Sequence, residues 1–285
     1  GNAQYMTRAP FFRDVYISAR TRDQVVDNLQ SETIFGGDIS YIFRGPVLQL
    51  RLTGYYTEFR DETWARSFYH EDLRSFVNYI MVGVDKVHAG MEFGLEANPT
   101  PTVSLTAVAA IGDYLYNSRP VVTIAQDNDP DILLESRQAY LKNYKVGGMP
   151  GTALSAGVKY SSPKYWFAGL NVNYFDNIYL TPNPDRRTIE ALAGLVNDDP
   201  QWDGLLEQER LDAGMTLDFF GGKSWRVKGH YLGLTVGINN ILNETEFAIG
   251  GFEQYRYDAR DLGRFPPKYF YLYGRNFFIN LRFSI

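Results

Sequence analysis

The stretch Arg275–Ile285, RNFFINLRFSI, decides how the rest of the chain is read. At a period of two, Phe277, Ile279, Leu281, Phe283 and Ile285 fall on one face. Phe278, Asn280, Arg282 and Ser284 fall on the other. Successive side chains of a β-strand point to opposite faces of its sheet, so the pattern predicts a strand with one apolar side and one largely polar side. Soluble sheets alternate in this way too. What sets this strand apart is its wealth of aromatic residues and its place at the very end of the sequence.

The alternation recurs. Leu48, Leu50 and Leu52 alternate with Gln49, Arg51 and Thr53, and Ala89, Met91, Phe93, Leu95 and Ala97 alternate with His88, Gly90, Glu92, Gly94 and Glu96. Similar runs cover 103–111, 154–160, 166–174, 211–219 and 232–238. With Ile39–Arg44 and the terminal run this makes about nine strands, most of them near the roughly 9–11 residues of a tilted membrane-crossing strand. Connections of two kinds take turns. Arg44-Gly45-Pro46, Asn98-Pro99-Thr100-Pro101 and Ser161-Ser162-Pro163 are tight turn signals, with Gly221–Gly229 a longer member of the set. The others, Asp61–Asn78, Asn117–Gly151, Thr181–Leu206 and Asn243–Gly274, are long. Short turns at one end and long loops at the other are the asymmetry of a transmembrane barrel. A β-sandwich or jelly roll is the competing architecture, and it has no reason to keep its short turns in strict alternation. Within the long loops, Asp131–Lys142 and Arg186–Val196 have helical composition, with Asp185 or Thr188 as caps for the second.

Composition narrows the function. The 285 residues hold 28 Lys and Arg against 33 Asp and Glu, net charge −5, which argues against a nucleic-acid partner. No run approaches the ~18 apolar residues of a spanning helix; a barrel escapes that test, because half of each strand faces a polar interior. Aromatics reach 15%, with 21 Tyr and 19 Phe, which suits interfacial girdles, although lectins and other surface β-proteins are also Tyr-rich. The absence of cysteine removes disulfides, thiolate zinc and thiol catalysis together. GNAQYMTRAP at the start lacks a basic-then-apolar signal pattern, as expected if a signal was removed or the chain is a later piece of something longer.

Signals for an enzyme are missing. His70, His88 and His230 lack metal-ligand spacing, and no nucleophile elbow, zincin or phosphate-loop motif is present. Asp127, Asp129 and Asp131 imitate the first ligands of a calcium loop, but Ile132 follows and Gln138 stands where a bidentate Glu is needed, so a solvated acidic tip is the simpler reading. Glu92, Glu96, Asp212 and Asp218 are expected to line the interior, paired with Arg51, Lys159 or Arg282.

Several strings carry a resemblance. Asn28-Leu29-Gln30-Ser31-Glu32 before a strand, Gly90-Met91-Glu92-Phe93, Gly222-Lys223-Ser224-Trp225-Arg226, and Val236-Gly237-Ile238-Asn239-Asn240-Ile241-Leu242-Asn243 resemble sequences found in TonB-dependent outer-membrane transporters. The last is the most specific. The terminal strand resembles the closing strand of outer-membrane barrels, with Ile285 in place of the usual Phe. The resemblance runs from Tyr5 to Ile285 and corresponds to the C-terminal third of such a transporter. It implies an all-β fold, a transmembrane antiparallel barrel segment of about nine strands out of 22, with short periplasmic turns and long extracellular loops. Residues 1–285 would form the C-terminal barrel portion, the plug domain and earlier strands lying outside this chain. The implied partners are the lipid bilayer, the rest of the transporter with its plug, TonB through the missing N-terminal part, and a surface lipoprotein. The implied location is the outer membrane of a Gram-negative bacterium.

The functional expectation is thus a nutrient importer energised through TonB, without catalysis, cofactor or metal. A passive porin and a soluble carbohydrate-binding module are the alternatives. Phe277, Ile279, Leu281, Phe283 and Ile285 are expected to close the barrel. Trp64, Tyr69, Tyr255 and Arg256 are the candidate ligand contacts, since aromatic faces stack on apolar ligand surfaces and a guanidinium grips an anion. The alternative for these four is packing of loop against loop.

Overall fold

A computed structural model describes residues 1–18, 23–127, 132–193, 195 and 200–284, apart from the side chains of 132–136, 200 and 201. The strands are β1 (Asn2–Arg8), β2 (Glu32–Arg44), β3 (Leu48–His70), β4 (Ser75–Thr100), β5 (Val103–Tyr116), β6 (Val121–Gln126), β7 (Ile132–Gln138), β8 (Thr152–Ser162), β9 (Trp166–Asp176), β10 (Gly214–Val227), β11 (His230–Asn239), β12 (Ala248–Phe252), β13 (Lys268–Tyr271) and β14 (Asn276–Ser284). Two short helices, α1 (Phe12–Val15) and α2 (Pro200–Leu206), lie in the connections, and no described helix is long and apolar enough to cross a membrane.

Ten strands form one antiparallel sheet in the order β1-β2-β3-β4-β5-β8-β9-β10-β11-β14. Among the described residues β1 and β14 do not pair, so the sheet is an open arc with two free edges. The expected nine strands become ten because Asn2–Arg8 also pairs, Tyr5 with Phe35 and Met6 with Ile34. Its sequence alternates poorly, which is why period-two reading passes over it.

Register decides which residues share a face. Leu232, Leu234, Val236 and Ile238 on β11 lie opposite Phe283, Leu281, Ile279 and Phe277 on β14, while Gly233 and Thr235 lie opposite Arg282 and Asn280. The same face continues through Phe219, Leu170, Val158 and Leu105 on β10, β9, β8 and β5, and through Ala97 and Leu48 on β4 and β3. One side of the arc is therefore apolar from strand to strand, because a one-residue slip anywhere would put every side chain of that strand on the wrong face. Glycines on the polar side admit flat aromatic rings. A Cβ on Gly169 would sit 2.4 Å from Phe220 Cζ, and one on Gly112 would sit 2.6 Å from the Tyr55 hydroxyl.

The connections alternate as the sequence predicts, with corrections. Between β10 and β11 the turn is only Lys228 and Gly229, at φ 51° and 89°, the two left-handed residues of a tight hairpin. The expected Gly221–Gly229 turn is mostly strand. Asp61–Asn78 is not a loop either. β3 and β4, 23 and 26 residues long, pair almost to their tips at Glu71–Arg74. At ~3.3 Å per residue such strands run to about 80 Å, far beyond a bilayer core of about 30 Å. Above the shared sheet β6 adds to the other edge of β4, and β7 to β6. The helix expected over Asp131–Lys142 is thus strand β7 from Ile132 to Gln138, since pairing with β6 overrides composition; Asp131 lies outside the described residues. Arg186–Val196 holds two 3-10 turns, Pro184–Arg187 and Glu190–Leu192, in place of one helix. Asn183 caps the first turn, and the Thr188 hydroxyl accepts the Ala191 amide at 3.2 Å.

Candidate functional site

The polar side of the sheet carries a hydrogen-bonded ladder. Ser155 donates to Asn173 at 2.8 Å, and Asn173 donates to Thr216 at 3.1 Å and to Asp218 at 2.8 Å. Asp218 also accepts the Asn240 amide at 2.8 Å. Arg51 donates to Thr53 at 3.1 Å rather than meeting a carboxylate, and Glu96 accepts from Asn98. The expected ion pairs of Glu92, Glu96, Asp212 and Asp218 with Arg51, Lys159 or Arg282 are absent among the described residues. Asp218 is reached instead by an amide one strand away, and Arg51 and Glu96 by a hydroxyl and an amide two residues along their own strands. His88 lies on this polar side between the rings of Phe59 and Tyr114, each 5.0 Å away.

Beyond the end of the sheet away from the short turns, the long connections fold onto the tall β3–β4 hairpin. One face of β4 buries Val77, Tyr79, Met81 and Val84 with Tyr116, Val122, Ile124, Ala139 and Leu141. The opposite face buries Ile80 with Ile17, Val26 and Ala125. β4 is therefore covered on both sides at this level, like the central strand of a soluble domain.

Against the first of these clusters, at Phe68 and Tyr144, sits a buried polar network that draws on four connections. Asp185 is fully buried. It accepts from Arg137 at 2.8 Å and from the Tyr257 hydroxyl at 3.1 Å, and faces His70 Nε2 at 3.2 Å. Burial opposes its charge, but the His70 contact, Arg137 and Tyr257 together outweigh that and hold its carboxyl below the usual carboxylate range. Burial first, and then the Asp185 carboxylate, push the Tyr257 hydroxyl far up. Beside it, buried Arg187 forms a two-pronged pair with Glu253 and donates to the carbonyls of Leu206 and Glu207. Glu253 also accepts the Asn183 amide at 2.8 Å. The network ties the β3–β4 tip, β7, the β9–β10 connection and the β11–β14 connection into one plate.

The four sequence-predicted contacts separate. Tyr69, Tyr255 and Arg256 meet at the hairpin tip: Arg256 lies 4.8 Å from the Tyr69 ring centre, and Tyr255 stacks on Phe68 at 5.4 Å. Arg256 is also held by Glu71 and lies 4.5 Å from the Phe265 ring. Trp64 is elsewhere, packed edge-on against Tyr116 at 6.0 Å with Lys86 over its face. Three of the four thus share one tip, Arg256 engaged with Tyr69 and Tyr255 with Phe68, while Trp64 serves the apolar cluster below. Phe277, Ile279, Leu281 and Phe283 lie together on the apolar face of the edge strand β14; Ile285 lies outside the described residues. In the acidic loop Asp127 accepts from Asn78 at 3.2 Å and from Ser18 at 3.3 Å; Asp129 and Asp131 lie outside the described residues. Among the described residues no three His, Asp or Glu side chains gather as a metal site.

Solved structures with the same arrangement exist. The copper transporter OprC matches at a TM-score of 0.58 with 14% identity, over 99% of this chain and 36% of its own. The P. aeruginosa receptor FpvA, bound to heterologous pyoverdines, matches at 0.53 with 11% identity, over 97% of this chain and 29% of its own. The FrpB iron transporter from Neisseria meningitidis matches at 0.53 with 15% identity, over 98% and 35%. All three are TonB-dependent outer-membrane receptors. This chain has the fold of a part of those structures. It spans about a third of the length of the structures it matches. No protein-family model and no curated protein matches the sequence.

In a transmembrane barrel arc of this kind the apolar side faces lipid and the polar ladder faces the interior. The plate of long connections then lies at the end away from the short turns. Sequence reading missed the residues that hold this plate, Asn183, Asp185, Arg187 and Glu253. Asn183-Pro184-Asp185 is a turn signal, but Asp185 reads as a helix cap and Arg187 as part of a helical segment. The ion-pair and hydrogen-bond side-chain partners of the Asp185 and Arg187 side chains lie 66 or more residues later, or 48 or more earlier, in the chain.

Proposed function

We propose that this chain forms the C-terminal part of the barrel of a Gram-negative outer-membrane importer that takes up a nutrient using energy delivered through TonB. The observation that carries the reading is the coincidence of two facts. The arc has one predominantly apolar face over ten strands with short turns at one end, and 97–99% of it overlays on about a third of receptors of that class. In this reading the remaining strands and the plug complete the barrel, the bilayer surrounds the apolar face, and the plate of long connections meets the cargo outside. Three of the similar proteins are named for copper, iron or a pyoverdine–iron complex, so metal ions and their chelates are the cargo class to test first. A surface lipoprotein covering the plate is a further partner in this proposal. Transport rather than catalysis is the proposed activity.

The test is uptake by cells carrying the full-length protein. Accumulation of copper or iron chelates should depend on the protein and should vanish when TonB is deleted. Uptake that persists without TonB would identify a passive pore instead.

A further inference from the structure

Lys223 is misplaced for its face. It lies opposite Trp166 on β9 and Leu234 on β11, so it belongs to the apolar side, with Gly221 and Trp225 its same-face neighbours along β10. From β8 to β14 the other described residue of that face with an acidic or a lysine or arginine side chain is Asp176, at the opposite end of β9. The Lys223 ammonium rests over the Trp225 ring at 5.6 Å. No carboxylate lies within ion-pairing distance of Lys223 among the described residues, so the ring alone compensates its charge. A ring face attracts a cation but leaves the ammonium's three N–H donors without a lone pair.

The level of Lys223 along the strand is fixed. Trp166 is the first residue of β9, and the Ser224 amide donates to the Tyr165 carbonyl at 2.9 Å. Lys223 therefore stands level with the β8–β9 turn, where exposed Lys164 also lacks an anionic partner among the described residues. Tyr160 and Trp166 pack at 5.2 Å beside it. Aromatic residues at a strand end, with lysines whose alkyl stems lie along apolar surface, mark the boundary between acyl chains and headgroups.

We infer that Lys223 and Lys164, framed by Trp166 and Trp225, bind the phosphate of an anionic glycerophospholipid in the leaflet next to the short turns. The ammonium groups and the indole N–H groups supply donors for the phosphate oxygens. The acyl chains lie along Leu234, Val236, Leu170 and Phe219. That apolar track favours a lipid over a free anion, which would gain nothing from it. The inference rests on the membrane placement proposed above.

The test uses the full-length protein in nanodiscs of dioleoylphosphatidylcholine doped with dioleoylphosphatidylglycerol. Lipids that stay bound on release are counted by native mass spectrometry. Wild type should retain phosphatidylglycerol in preference to phosphatidylcholine. Lys223→Gln and Lys164→Gln should each lower that preference about fivefold, the effect of one lysine near an anionic surface, with heat-modifiable mobility on gels unchanged. Equal retention by the double variant overturns the site. Displacement of the lipid by millimolar inorganic phosphate overturns it in favour of a simple anion site. Failure of the wild type to enter the bilayer refutes the membrane placement itself, whereas insertion with equal retention refutes the lipid site alone.

Discussion

Replacing Glu253 with Ala should loosen the plate of long connections while leaving the barrel intact. Arg187 and Glu253 are buried, with side-chain exposures of 0% and 3%. Removing the carboxylate strands a guanidinium in the interior, a change that costs about 3–5 kcal/mol when one partner of a buried pair is lost. Arg187 keeps the carbonyls of Asn183, Leu206 and Glu207 at 3.1–3.3 Å and the Tyr144 ring at 4.9 Å, which places the loss at the lower end, about 3 kcal/mol. That corresponds to a roughly hundredfold rise in the open population. The Asn183 amide, which donates to the same carboxylate, is orphaned too. Trypsin added to intact cells expressing the full-length protein reads this directly, because cleavage follows the open fraction when opening is fast. The variant should be nicked in 182–210 or 253–264 far faster than wild type, with heat-modifiable mobility of the uncut barrel preserved. The double change Arg187→Met with Glu253→Leu should be milder than Glu253→Ala alone, since neither charge is then buried. Equal cleavage of wild type and Glu253→Ala would refute the idea that this pair holds the plate.

Other outcomes follow from the same geometry. Leu234→Lys, on the apolar face, should cost about 2–4 kcal/mol in folding into bilayers, against little for Asn171→Lys on the polar face; equal urea midpoints would refute the facing. Because the Asp185 pKa is depressed in the fold, its stabilising share is complete above the unfolded value near 4 and fades as pH falls through the lower folded value. Protection of the plate, read with pepsin in acid and with trypsin at neutral pH, should therefore drop only in strong acid, and Asp185→Asn should weaken it already at neutral pH and flatten that acid dependence. Gly169→Val should cost about 1–3 kcal/mol through its clash with Phe220, and Phe220→Ala should relieve it, as measured by denaturant midpoint. Deleting Leu281–Ile285 removes pairing to β11 from Tyr231 to Leu234, and outer-membrane levels of that form should collapse on immunoblots.

Much of the arc was legible in residue order. A strand whose two faces meet different solvents must alternate, so Phe277–Phe283, Leu232–Ile238 and Trp166–Tyr174 announce both their secondary structure and their facing. Turn chemistry at Gly45-Pro46 and Ser162-Pro163 likewise marks the short-turn end, because φ constraints are local. β1 was not legible, since Asn2–Arg8 becomes a strand only by pairing with β2. The tall hairpin was misread for a related reason. Beyond the shared sheet β4 is apolar on both faces, as Val77, Tyr79, Ile80 and Met81 show, so the period-two signal vanishes there. The candidate site was legible only as a cluster of aromatics. Tyr69, Tyr255 and Arg256 do converge, but whether they face a ligand or each other depends on contacts across 185 residues, such as Arg256 with Glu71. In residue order Asp185 reads as a helix cap and Arg187 as part of a helical segment, because burial of a charge is decided by partners distant in sequence. Only when four connections fold together do His70, Arg137, Glu253 and Tyr257 surround them, and that enclosure has no local signature.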